Sequence, residues 1–86
     1  MWCSGRLIGE MPVIVRLQYC VIAMYADDHN PPHFHILGID GREAEVRLAN
    51  LEVAKGSVDR RAVREAMAWA EPRMAMLKEK WDDLQS

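Results

Sequence analysis

Residues 33–48 read HFHILGIDGREAEVRL, and this stretch decides the fold. Two runs that alternate apolar and polar side chains, 33–37 and 43–48, flank Asp40-Gly41, which is the pattern of a β-hairpin. Successive side chains of a strand point to opposite faces, so a shift of one residue in the pairing moves every side chain to the other face. The register of this hairpin therefore decides which face its histidines occupy.

Two turns are compatible with this stretch. A two-residue turn at Asp40-Gly41 would pair His35 with Val46 and place both histidines on the apolar face. A three-residue loop, 39–41, with Gly41 in the left-handed conformation, produces the other register. Only the second register matches apolar with apolar and polar with charged residues, and we predict it; its pairs are Phe34 with Val46, Ile36 with Ala44, His35 with Glu45, and His33 with Arg47. Both imidazoles are then expected to face solvent.

The segment before the hairpin, residues 13–25, is rich in β-branched and aromatic residues, the composition of a strand. Because it is long for a single strand, we predict a bend or bulge near residues 18–20. Residues 27–32 contain Pro31-Pro32 and must form a loop, since proline cannot donate to a strand ladder. The expected sheet is small and antiparallel, with about three strands.

From about Ser57 the apolar period becomes helical. Apolar residues step by four and three positions in an a/d seam: Val63, Met67, Ala70, Met74, Leu77, Trp81 and Leu84. Ser57 or Asp59 can cap the start of this helix. Pro72 removes a hydrogen bond and predicts a kink, or a break into two segments, near residues 69–71. The fold class is α+β, with one long C-terminal helix packed on the sheet.

Size and charge restrict the function. The chain has 86 residues and a formal net charge of −2, which argues against a non-specific nucleic-acid coat protein. No stretch reaches the roughly 18 apolar residues that span a bilayer, so no membrane partner is expected. Cys3 and Cys20 lack metal-ligand spacing and are expected to be free thiols in a reducing cytoplasm. A domain this short is marginal alone and benefits from a partner, including a second copy of itself.

Residues 1–10 differ from the rest of the chain because their apolar residues follow neither the period of a strand nor that of a helix. We expect them to be a disordered or artefactual leader, followed by a single domain over residues 11–86. Met11-Pro12 opens the strand pattern, and Met11 is therefore an alternative to Met1 as the natural start.

The histidines allow three interpretations. His33 and His35 are two residues apart and share a face of the strand, and with His29 from the proline loop they could converge on a transition metal. Alternatively, they serve in acid–base chemistry or contact phosphate, together with side chains within reach across the sheet: Tyr25, Glu45 and Arg47. The third interpretation is structural, with the imidazoles bonded to nearby backbone. We assign no cofactor, and a transition metal is the alternative.

A second candidate surface lies on the helix. Arg60, Arg61 and Arg64 oppose the helix dipole, so helix stability does not explain them. They predict a contact with phosphate or an acidic partner, or else a solvated face with ion pairs such as Arg61 with Glu65. Trp69 lies off the apolar seam and either anchors a protein partner or packs over the sheet edge.

The motifs Met24-Tyr25 and DHNPPHFH (28–35) resemble a bacterial family of short proteins catalogued as domain of unknown function 4160. Residues 56–71 and Trp81 look like its C-terminal helix, and the resemblance covers roughly 11–84. Pro72 departs from the family pattern, as does a hairpin tip about one residue longer than usual.

Genes of this family often lie beside another small gene, in a suspected toxin–antitoxin pair. The resemblance therefore implies the toxin side of such a pair, with a small cognate protein partner and an action on RNA or translation. Two alternatives stay open: a non-enzymatic protein-binding module and a small metal-binding protein. Whether the chain is an enzyme also stays open.

Overall fold

A computed structural model describes residues 13–25 and 31–85. These residues form five strands and two helices: β1 (Val13–Arg16), β2 (Cys20–Ala23), β3 (His33–Gly38), β4 (Glu43–Arg47), β5 (Val53–Gly56), α1 (Arg60–Ala70) and α2 (Met74–Gln85), with the 3₁₀ turn Glu71–Arg73 between the helices. The α+β class is confirmed, but the sheet has five strands rather than about three. The expected leader, the boundary at Met11 and the candidate ligand His29 lie outside the described residues.

The five strands form an antiparallel meander in which each strand pairs with its neighbours in the chain. The predicted irregularity at residues 18–20 is a full reversal that separates β1 from β2, closed by a hydrogen bond of 2.8 Å from the Leu17 amide to the Cys20 carbonyl oxygen. β5 was not predicted. It is four residues long and exposed throughout, so it carries no alternation of buried and solvated positions from which a strand could be recognised.

The register of the central hairpin is the predicted one. Phe34 pairs with Val46 and His35 with Glu45. Gly41 has a φ of +90°, the left-handed conformation that the three-residue loop requires. The prediction succeeded because apolar and polar residues alternate on both strands, and only one register pairs apolar residues with apolar ones and polar residues with polar ones.

The helical segment breaks at Pro72, as predicted, into α1 and α2. Asp59 caps α1, its side chain accepting a bond of 2.7 Å from the Arg61 amide. The most buried residues of α1 are Ala62, Ala66 and Ala70. Two of these alanines lie one position before the predicted seam residues Val63 and Met67, which are partly buried.

Small side chains along this row let α1 lie close to β2 and β3. In α2 the fully packed residues are Leu77 and Trp81, both of which belong to the predicted seam. Neither helix among the described residues has the length and apolar character needed to cross a bilayer.

Candidate functional site

β3 places His33 and His35 on one face and Phe34 and Ile36 on the other, because side chains alternate along a strand. β2 and β4 flank β3 on both sides. His35 therefore lies between Ala23 and Glu45. The histidines occupy the middle of the sheet, on the face opposite the apolar core residues.

The expectation that both imidazoles face solvent is wrong. His33 is fully buried, with 0% of its surface exposed, and the side chain of His35 is only 12% exposed. Aromatic rings cover them: the ring of Tyr25 lies 4.6 Å from that of His35, and the ring of Trp81 lies 5.1 Å from that of His33. The register determined the face, but Tyr25, which follows β2, and Trp81 on α2 cover most of that face.

Both imidazoles use the same ring nitrogen, Nδ1, for a short contact with an acceptor. Nδ1 of His33 lies 2.8 Å from the carbonyl oxygen of Pro31. A carbonyl oxygen can only accept, so Nδ1 of His33 donates in this bond and Nε2 is the ring nitrogen that it leaves over. Nδ1 of His35 lies 2.7 Å from Oε2 of Glu43. The Glu43 carboxylate likewise accepts from Nδ1 of His35.

Glu45 completes the group. Its Oε1 lies 3.8 Å from Nε2 of His33, and one ligand atom from each of His33, His35 and Glu45 lies within 4.8 Å of the other two. We call these three residues the His–Glu cluster. The rings of the two histidines meet edge to face, with centroids 5.1 Å apart. The cluster opens on a pocket of about 270 Å³ lined by His35, Glu43, Glu45 and Lys55, among others.

Four side chains predicted together from the sequence lie in one place in the structure: Tyr25, His33, His35 and Glu45. Arg47, also named, is exposed at the end of β4, opposite His33 in the ladder.

Two contacts of the histidines were missed. Glu43 was recoverable, because in the predicted register it is the diagonal neighbour of His35 on the same face. Trp81 was assigned to the core alone, and no local pattern indicates that its ring also reaches His33.

The arginine surface lies elsewhere. Arg60 and Arg64 are exposed on α1. Arg61 pairs with Asp59 at 3.3 Å and lies 4.8 Å over the ring of Tyr19, rather than pairing with Glu65. The Glu65 carboxylate instead accepts bonds from the amides of residues 18 and 19.

Arg61 shares a small pocket with Gly38 and Ile39, at the opposite end of β3 from His33. Trp69 is partly buried against the core, with the guanidinium of Arg73 4.9 Å over its ring. The second candidate surface is therefore separate from the histidines, and two of its members already have partners within the chain.

Fold and site together define a small α+β protein in which an antiparallel meander, covered by a broken helix, holds two histidines and a glutamate. Over residues 20–82 the sequence matches the family model described as domain of unknown function (DUF4160), and the chain belongs to that family. The matched range contains the whole His–Glu cluster. Neither a curated protein nor a solved structure matches the chain.

Proposed function

We propose that this chain is the toxin-side component of a two-protein toxin–antitoxin-type pair, and that it acts on RNA or translation through the His–Glu cluster. The observation that carries the proposal is the pairing of His35 with Glu43 at 2.7 Å in the wall of an open pocket. A histidine held by a carboxylate and reachable from solvent is a common arrangement at working sites.

The cost of the cluster argues against a purely structural role. Polar groups lose hydration when they are buried, and apolar side chains of similar size would fill these sheet positions without that loss. Here two imidazoles and the Glu45 carboxylate are largely withdrawn from water on one face. Such groups occur in proteins most often where chemistry or recognition needs them.

The pocket limits what can reach the cluster. A volume of about 270 Å³ accommodates one small group of a larger molecule, such as a nucleotide of an RNA chain. Lys55, on its rim, supplies a positive charge for a phosphate, whereas Glu43 and Glu45 repel one unless a cation intervenes. The target therefore presents a limited number of groups to the pocket.

Growth after induced expression in a bacterial host tests this proposal. Expression without the partner should slow growth, and His35→Ala should relieve the effect at equal protein abundance. Glu52→Gln, which alters an exposed carboxylate in the turn between β4 and β5, is the control and should stay as toxic as the parent chain. The absence of a growth effect, or full toxicity of His35→Ala, contradicts the proposal.

A non-enzymatic protein-binding module is the second candidate, and the edge strand β5 favours it. All four residues of β5 are exposed, including Val53, an apolar side chain with 41% of its surface exposed. Edge strands pair readily with a strand of another chain. On this hypothesis Val53→Asp abolishes co-purification with the small cognate protein, while His35→Ala leaves the complex intact.

A further inference from the structure

We propose that His33, His35 and Glu45 bind one divalent transition-metal ion, with zinc as the first expected occupant. The inference concerns the same cluster as the proposed function and deepens it by naming the cofactor. It rests on the positions of the ligand atoms, so it can be tested without any growth effect.

The spacing of the ligand atoms fits a shared ion. Zinc binds imidazole nitrogen and carboxylate oxygen at about 2.0–2.2 Å, which places two ligands of one tetrahedral ion about 3.3–3.5 Å apart. Nε2 of His33 and Oε1 of Glu45 are 3.8 Å apart, too far for a hydrogen bond. A side-chain movement of a few tenths of an ångström brings these two atoms into bonding distance of one ion. The ligand atom of His35 lies within 4.8 Å of both and must approach them by as much as about 1.5 Å, through a rotation of its side chain.

The second nitrogen of each ring supports the assignment. Metal-binding histidines donate their other N–H to a carbonyl or carboxylate, which orients the ring and fixes the tautomer. His33 does so to the Pro31 carbonyl at 2.8 Å, and His35 to Glu43 at 2.7 Å. Both bonds use Nδ1, so on each ring Nε2 is the nitrogen that would bind the metal.

The local charge also suits a cation. Glu45 supplies one negative charge as a ligand, and Glu43 supplies a second behind His35, which together offset the charge of a divalent ion. Lys55 and Arg47 pair with Glu45 and His33 in the ladder, and both are exposed, where solvent screens their repulsion.

The ligand set selects the class of ion. Two imidazoles and one carboxylate suit zinc, and they also suit iron(II) and cobalt(II), whereas calcium and magnesium prefer all-oxygen sites. Three protein ligands leave a coordination position for water or substrate, as in catalytic rather than structural zinc sites. The pocket beside His35 and Glu45 provides room for that fourth ligand.

Metal titration of the tag-free protein, purified and dialysed against a chelator, tests the site. We expect one equivalent of Zn²⁺ to bind in calorimetry, and one equivalent of Co²⁺ to produce the visible absorption of a four-coordinate ion. Glu45→Gln and His35→Ala should each abolish stoichiometric binding. Glu43→Gln should weaken binding about 10–100-fold, the usual effect of removing a group that orients a ligand.

Glu52→Gln is the matched control and should bind as the parent chain does. Since His33 is fully buried and its loss endangers folding, the test relies on His35 and Glu45, and thermal unfolding without metal verifies that each variant is folded. Less than about half an equivalent of every transition metal tried overturns the site. So does unchanged binding by both Glu45→Gln and His35→Ala.

The two proposals fail separately. One equivalent of metal without any growth effect retains the metal site and rejects the toxin role. A growth effect relieved by His35→Ala, in a protein that binds no metal, retains the toxin role and rejects the metal site.

Discussion

The two faces of β3 both bury side chains, but different interactions stabilise the buried groups. On one face Phe34 and Ile36 are fully buried among apolar side chains. On the other, His33 is equally buried, yet each histidine has a specific acceptor for its Nδ1 proton. Burial alone therefore does not separate the core of this protein from its candidate site.

Burial on the two faces differs in whether it depends on the direction of an interaction. Apolar burial is non-directional and scales with area, so loss on the Phe34 face depends on the volume removed. Burial of the imidazoles is favourable only while Pro31 and Glu43 accept their protons, so loss on the histidine face depends on which partner is left behind. Substitutions on the two faces should separate these effects.

The largest effect is expected on the apolar face. Phe34→Ala should lower the free energy of unfolding by about 3–5 kcal/mol, because a fully buried aromatic ring leaves a cavity. Urea denaturation measures this. Ile39→Ala, at a side chain 78% exposed, is the control and should change stability by less than about 0.5 kcal/mol. Equal effects at the two positions would contradict the assignment of the core.

Gly56→Ala should disturb both faces at once. A Cβ there would lie 2.2 Å from the Glu43 carbonyl oxygen, and Gly56 has a φ of +72°. The clash pushes β5 away from β4, the strand that carries Glu45. The free energy of unfolding should therefore fall by more than the ~1–2 kcal/mol that a left-handed residue costs alone. Gly41 has a φ of +90°, and a Cβ added there would have no atom within 4 Å. Gly41→Ala therefore measures the free-energy cost of the left-handed conformation without a clash. Chemical denaturation of both variants provides the comparison.

Substitution of the two histidines should lower the free energy of unfolding by different amounts. His33→Ala leaves a cavity beside Trp81 and removes the donor to Pro31, and it should cost about 2–3 kcal/mol. His35→Ala, at the pocket, should cost about 1 kcal/mol or less. Thermal unfolding without metal measures both. If His35→Ala is the more destabilising, then His35 is a packing residue of the core, which contradicts its placement at the edge of the pocket.

Cys20 shows how burial in the apolar core changes the pKa of a titratable side chain. Burial, and then the nearby Glu65 carboxylate, raise the pKa of its thiol from 9.0 to about 11. A pKa raised in the folded state contributes stability below pH 9 that is lost as pH rises toward 11.

Denaturation between pH 8 and 11 should show this loss in the parent chain, and a smaller one in Cys20→Ala. In a Cys3→Ser background, thiol alkylation of the native protein at pH 8 should be far slower than that of the unfolded chain. Equal rates would contradict burial of the thiol.

The smallest effect is expected at the exposed cap of α1, a reference for polar contacts in full solvent. Hydrogen bonds from Arg61 hold the pKa of Asp59 below its usual value of 3.8. A lowered pKa contributes stability above pH 3.8 that is lost as pH falls through the folded value. Asp59→Asn retains an N-cap but cannot ionise, so its stability should fall less below pH 4. Parallel acid titrations followed by circular dichroism check this; identical curves would contradict a role for the Asp59 charge.

Local patterns predicted much of this molecule. Alternation in residues 33–37 and 43–48 determined the register and so the face on which the histidines lie. Pro72 determined where the helix breaks, and Asp59 where it begins. Each of these features depends on residues close in sequence, or on a pairing with one consistent solution, so the sequence alone contains the answer.

The tertiary structure decided the rest. β5 forms because β4 offers it an edge, although its own residues have little strand signal. His33 is buried because a ring on α2, far along the chain, comes to lie 5.1 Å from it. Which residues share a face follows from the period of the chain, whereas how far that face is closed to water depends on long-range packing. The sequence by itself therefore determined where the histidines point, and only the fold decided that Tyr25 and Trp81 cover them and leave His35 and Glu43 at the edge of a pocket.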